Sequence, residues 1–88
     1  MKTTEQIITT LEQDFFLHHV KMDEAMSMLK EARKEHNGLK SDIYEHKVGE
    51  ESTLCCYICD ILADINNTSE DYEMDRLYTK FNLWRYNE

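Results

Sequence analysis

The sequence predicts an all-α fold, a small antiparallel helical bundle of three to four helices. The chain contains no proline and only two glycines, Gly38 and Gly49. Because proline and glycine interrupt helices most strongly, their scarcity favours long helices. Apolar residues recur three and four positions apart, as they do on one face of a helix. Hydrophobic residues make up 41% of the chain, which is enough for a core. We expect one helical domain over residues 1–88.

The first predicted helix begins after Thr3, which with Gln6 has the spacing of a capping box. The apolar residues that follow recur at helical spacing: Ile7, Ile8, Leu11 and Phe15. Asn37-Gly38 is typical of a left-handed helix C-terminus. Residues 4–36 therefore form either one long helix or two helices, the second capped by Asp23.

A short helix is expected from Leu39 to Val48, ending at Gly49. The next helix is expected to begin at Ser52 and to continue through the most apolar stretch of the chain, residues 54–65. A helix that is apolar on most of its circumference is usually buried by its neighbours. This segment is therefore the predicted central helix.

The last predicted helix is capped by Thr68 or Ser69, and Glu70 and Asp71 lie in its first turn, where the helix macrodipole favours negative charge. Its inward stripe is predicted to be Leu77, Phe81 and Trp84. Tyr78 and Tyr86 are expected at the edge of that stripe. Because tyrosine is enriched in protein interfaces, both are candidate contact residues.

Charge is the strongest functional signal in the sequence. Eighteen acidic and ten basic residues give a net charge of −8, and residues 50–75 contain no lysine or arginine. This balance disfavours direct binding to nucleic acid or to an anionic membrane, since both need clustered cations. We expect the acidic segment to bind a protein with a basic surface. Its candidate contact residues are Glu50, Glu51, Asp60, Asp64, Glu70, Asp71, Glu73 and Asp75, together with Tyr78 and Tyr86.

Cys56 and Cys59 form a C-x-x-C motif with Cys55 beside it, which raises the hypothesis of a zinc site completed by histidines. The candidate histidines are His18, His19, His36 and His46. Because the motif lies inside an apolar helical run, buried thiols are the simpler interpretation. The sequence shows no catalytic or cofactor motif, so we expect neither an enzyme nor a bound cofactor.

The leading functional interpretation is a small acidic protein that inhibits or regulates a macromolecular partner by occupying its basic surface. Such a protein resembles virus-encoded inhibitors in composition only, and it could mimic nucleic acid. Two alternatives stay open: a homo-oligomer that sequesters a small ligand, and a metal- or thiol-dependent regulator. In the first alternative the ligand is anionic and is held by a basic cluster: Lys21, Lys30, Arg33 and Lys34. The free cysteines, the amphipathic N-terminus and the lack of a long apolar run predict a cytoplasmic protein.

Overall fold

The computed structural model describes residues 1–84, which form three helices packed against one another. These helices are α1 (Thr4–Lys34), α2 (Gly38–Asn66) and α3 (Glu70–Lys80). Residues 1–84 contain no strand, so the all-α prediction is confirmed. Tyr86 lies outside the described residues.

Helix α1 is a single uninterrupted helix of 31 residues. Its capping box is confirmed: the Thr3 hydroxyl accepts from the Gln6 amide at 3.2 Å, and the Thr3 amide donates to the Gln6 side chain at 2.8 Å. The predicted cap at Asn37-Gly38 is wrong by one residue. His36 has the left-handed conformation, with φ of 55°, and Asn37 instead caps α2 by accepting from the Lys40 amide.

Helix α2 continues through Gly49, so the predicted break at this glycine is wrong and the short helix over residues 39–48 is part of α2. One glycine inside a helix costs only about 1 kcal/mol relative to alanine. The helical hydrogen bonds and packing on both sides outweigh that cost. As predicted for the central helix, α2 packs against both α1 and α3.

Helix α3 begins at the predicted cap, where the Ser69 hydroxyl accepts from the Tyr72 amide. The prediction that Trp84 faces inward is wrong, because Trp84 is exposed and Leu83 is buried. The helix ends at Lys80, and Asn82 takes the left-handed conformation. The Leu83 amide then donates to the Tyr78 carbonyl at 2.8 Å, so helical spacing no longer decides which side chain points inward.

The core lies where all three helices meet. Its fully buried apolar side chains are Phe15, Cys59, Leu62, Leu77 and Leu83. Helix α3 has 11 residues, or about 16 Å, whereas α1 is about 46 Å long. The side-chain hydrogen bonds and ring contacts that α3 and the residues after it make with α1 include those at Glu12, Phe15, Phe16 and His19.

Residues 21–50, which we call the hairpin end, therefore extend away from this core. The molecule measures 48 × 30 × 18 Å and has a radius of gyration of 15.0 Å. A compact domain of this length would have a radius of gyration of about 12 Å. The elongated shape follows from the difference in length between α3 and the other two helices.

Candidate functional site

The eight predicted contact carboxylates divide into two groups. Glu51 and Glu73 are buried. The other six are exposed: Glu50, Asp60, Asp64, Glu70, Asp71 and Asp75. Within residues 1–84, none of these six carboxylates lies within 4.0 Å of a basic side chain. The exposed group is therefore an acidic surface that the described part of the chain does not neutralise.

Glu73 holds α3 in place and does not belong to that surface. Its carboxylate accepts hydrogen bonds from the Thr68 hydroxyl at 2.6 Å, from Asn66 at 3.5 Å and from Arg76 at 2.6 and 2.9 Å. Burial acts to raise the pKa of Glu73, but the hydrogen bonds from Thr68 and Arg76 outweigh it and lower the pKa. The carboxylate is therefore charged and fully engaged within the chain.

Arg76 extends this network to α1. Its guanidinium donates to Glu12 at 2.6 Å, and Lys80 donates to the other oxygen of Glu12 at 2.7 Å. Burial opposes the charged form of Glu12, yet the bonds from Lys80 and Arg76 lower its pKa. Glu12 was not among the predicted site residues, although its place between Ile8 and Phe15 on the apolar stripe of α1 indicates that it points inward.

Glu51 joins α1 to α2 from a buried position. One carboxylate oxygen lies 2.6 Å from Nδ1 of His18, and the other lies 3.7 Å from Nζ of Lys47. The prediction placed Glu51 on the acidic surface because it belongs to the acidic segment 50–75, which has no lysine or arginine. Adjacent helical residues point about 100° apart, so Glu50 remains exposed while Glu51 turns toward α1.

One face of α2 combines exposed acids with exposed apolar side chains. We call Tyr57, Asp60, Ile61 and Asp64 the outer face; they occupy positions i, i+3, i+4 and i+7 and thus lie side by side. Tyr57 is 62% exposed and Ile61 is 46% exposed. Large apolar side chains beside unneutralised carboxylates are typical of a contact surface.

Tyr57 and Ile61 were not predicted as contact residues, because a stretch that is apolar on most of its circumference is expected to be buried. Helices α1 and α3 together cover only part of the circumference of α2. A signal was present, since Leu54, Tyr57, Ile61 and Ile65 form a second apolar stripe at helical spacing, distinct from the buried stripe that contains Cys55, Ile58 and Leu62.

Tyr78 is half-buried, and it contacts its own chain. Its ring packs edge-on against His19 and Trp84, and its hydroxyl lies 3.3 Å from Nε2 of His19. Burial raises the pKa of the Tyr78 phenol. Tyr72, which the sequence analysis did not select, is the more exposed tyrosine of α3.

The cysteine cluster lies in and beside the core. Cys55 and Cys59 are buried, and burial raises the pKa of each thiol to about 12. Their thiols are directed at the Phe15 carbonyl and at the Met74 sulfur. Because the thiolate is the reactive form, neither thiol is activated at neutral pH. No group of three or more metal-ligating side chains suited to an ion occurs in residues 1–84.

The basic cluster on α1 is partly engaged in surface ion pairs. Arg33 lies 3.9 Å from Glu45, and Lys34 lies 3.7 Å from Glu31. Both pairs are exposed, and exposed pairs contribute little stability, typically ~0–1 kcal/mol.

None of the helices in residues 1–84 combines the length and the apolar character that a membrane span needs. Comparisons with protein-family models, with curated proteins and with solved structures gave no match to this chain.

Proposed function

We propose that this protein is a small acidic helical binding protein of the cytoplasm, which regulates or inhibits another protein by occupying its basic surface. The observation that carries this proposal is the outer face of α2. There two carboxylates that have no ion-pair partner among residues 1–84, Asp60 and Asp64, lie beside the exposed side chains of Tyr57 and Ile61. Glu70 and Asp71 extend the negative charge to the start of α3.

The two kinds of side chain would act at different stages of binding. An uncompensated negative field steers a basic partner toward the surface and raises the association rate. Buried apolar anchors then supply most of the affinity, and tyrosine is among the residues that most often do so. A surface with only the acids would serve solubility, whereas the exposed tyrosine and isoleucine favour recognition.

The sharpest form of the proposal is that the basic surface is the nucleic-acid-binding groove of the partner. Carboxylates spaced along helices would then take the place of phosphates. We also infer that the helices run antiparallel, which the pairing of His18 with Glu51 and the short connections between the helices support.

The test is to capture partners with the immobilised protein and to identify them by quantitative mass spectrometry. The binding variant is Asp60→Asn/Asp64→Asn. The control variant is Glu31→Gln/Glu35→Gln, which makes the same change in net charge at exposed positions on the hairpin end. Each exposed pair is worth up to ~1 kcal/mol, so we expect the binding variant to lose roughly tenfold in affinity for the captured protein.

Three further results are expected. The control should bind within about twofold of wild type, raising the salt concentration should weaken the wild-type complex, and duplex DNA should displace the protein if the partner surface is a nucleic-acid groove. Equal losses in the two variants would show that net charge alone acts, and would remove the outer face from the proposal.

A further inference from the structure

An apolar groove runs between α1 and α2 at the hairpin end, where Ile43 lies eighteen residues, or about 27 Å along α2, from Ile61 of the outer face. Its volume is about 620 Å³, and Ala25, Met28 and Ile43 line it. Met28 is 46% exposed and Ile43 is 56% exposed, while Ala25 is buried at the base. Both side chains line the same groove, and neighbouring exposed apolar side chains of this kind are candidate contact surfaces.

The groove faces away from α3. Helix α2 contacts α3 through Cys59, whose thiol lies 3.9 Å from the Met74 sulfur. Ile43 precedes Cys59 by sixteen positions, which at 3.6 residues per turn places it about 160° around the helix. Helix α3 is also too short to extend over this end of α1, so the third helix of the chain does not cover the groove.

The charges around the groove suit a second copy of the same chain. Residues 21–50 contain six basic and seven acidic side chains, whereas the rest of the sequence contains four basic and eleven acidic ones. Nearly all of the net charge therefore lies outside the hairpin end. Two copies would repel one another at the outer face, and that repulsion is weakest at the hairpin end.

Both signs of charge are present on the rim of the groove itself. Lys21 and Lys47 lie there with Glu24 and Glu50. Among residues 1–84, Lys21, Glu24 and Glu50 take part in no ion pair, while Lys47 lies 3.7 Å from Glu51. A two-fold dimer interface must be complementary to itself, and a rim with unpaired charges of both signs meets that requirement.

We propose that a second copy of this chain docks on the groove of the hairpin end, so that α1 and α2 of the two copies form a four-helix arrangement. The contact buries Met28 and Ile43 of each copy and brings the lysines of one rim to the glutamates of the other. Because the hairpin end is short, the dimer is weak, with a dissociation constant on the order of tens of micromolar.

Sedimentation equilibrium of the full chain tests this proposal. The wild type has a subunit mass of 10.6 kDa, so the weight-average mass should rise toward twice that value between about 1 and 500 µM. Ile43→Glu should remain monomeric over this range. Ile61→Glu makes the same change at a similarly exposed site on the outer face, and it should dimerise like the wild type.

Charge-reversed variants supply a test that does not depend on the apolar residues. Lys21→Glu/Lys47→Glu and Glu24→Lys/Glu50→Lys should each be monomeric, because each gives the rim a single sign. An equimolar mixture of the two should dimerise. Circular dichroism checks that each variant keeps the helical content of the wild type.

The proposal is overturned if the wild type stays monomeric at about 500 µM. It is also overturned if Ile61→Glu abolishes the dimer while Ile43→Glu does not, since the outer face would then be the interface. This test is independent of the proposed function, because loss of the dimer through Ile43 leaves Asp60 and Asp64 unchanged.

Discussion

Arg76 connects α3 to α1 through buried carboxylates. Its guanidinium bonds to Glu73 on its own helix and to Glu12 on α1, and both carboxylates are buried. The network contributes little net stability, because removing ions from water is expensive and only complete pairing offsets that cost. Loss of Arg76 leaves Glu73 buried with only the neutral donors Thr68 and Asn66, and it leaves Glu12 with Lys80 alone.

We therefore predict that Arg76→Met destabilises the protein by roughly 3 kcal/mol, the lower end of the range for a broken buried pair, because Arg76 itself is partly exposed. Urea unfolding followed by circular dichroism measures the change. Arg33→Met is the matched control, since the pair it breaks with Glu45 is exposed and should be worth less than ~1 kcal/mol. Equal effects from the two changes would contradict the assignment of Glu12 and Glu73 as buried partners.

The same network predicts how stability depends on pH. The pKa values of Glu12 and Glu73 are lowered in the folded protein, despite burial, by their hydrogen-bond donors. Their contribution is therefore fully present above the ordinary carboxyl value of 4.5 and is lost as the pH falls through the lower folded-state values. The difference in unfolding free energy between wild type and Arg76→Met should be constant from about pH 7 to 5.5 and should shrink below about pH 4.5. A difference that widens on acidification would contradict this.

At the scale of the helix, Gly49 is a weak point in an otherwise continuous α2. It has no positive φ, and a Cβ added there would meet no atom within 4 Å. Gly49→Ala should therefore stabilise the protein by about 0.5–1 kcal/mol, because alanine loses less backbone entropy in a helix. Thermal melting should show a rise of a few degrees. Gly38→Ala, at the first residue of the helix, should give a smaller rise, and a drop in melting temperature for Gly49→Ala would show that the glycine has a role beyond the helix.

The helices could be predicted from the sequence because their signals are local. Thr3 with Gln6 marks the start of α1, Ser69 marks the start of α3, and the scarcity of glycine and proline indicates the long segments between. The left-handed residue at His36 could not be found in this way, because its neighbours Asn37 and Gly38 both favour that conformation more strongly. Asn37 instead has an extended backbone and caps α2, so the left-handed conformation falls on His36.

The site was predicted less completely than the helices, because the burial of its side chains depends on how the helices pack and not on local signals. The six exposed carboxylates follow from composition. The burial of Glu51 depends on His18, which is distant in sequence. The burial of Glu73 depends on how α3 is oriented, although its partner Arg76 is only three residues away. The exposure of Tyr57 and Ile61 depends on how much of α2 its two neighbours cover. Neither the burial of the two glutamates nor the exposure of Tyr57 and Ile61 can be derived from the sequence pattern of one helix alone.

At the scale of the whole molecule, charge is distributed unevenly along the long axis. The hairpin end is close to neutral, and the end formed by all three helices carries most of the net charge of −8. Such a concentration of like charges destabilises the compact state through self-repulsion. If the acids of the outer face are kept for binding, they should carry a cost in stability that can be measured in the absence of any partner.

We predict that Asp60→Asn/Asp64→Asn, the variant expected to lose partner binding, is more stable than the wild type at low salt. The two acids are one turn apart, where like charges cost ~0.2–0.5 kcal/mol. Asp64 also lies in the last turn of α2, which contains no basic residue, so the macrodipole opposes its charge. Together these terms amount to roughly 0.5–1 kcal/mol. Because salt screens exposed charges, the gain should diminish between about 20 and 500 mM NaCl in thermal melts.

Asp71→Asn serves as the control of opposite sign. Asp71 lies in the first turn of α3, where the macrodipole favours a negative charge, so its neutralisation should lower the melting temperature slightly at low salt. Asparagine and aspartate have similar helix propensity, so each variant reports the loss of charge at its own positions, two charges in one variant and one in the other. If Asp60→Asn/Asp64→Asn were less stable than the wild type, those carboxylates would have stabilising partners within the chain, and the surface proposed for binding would lose its uncompensated charge.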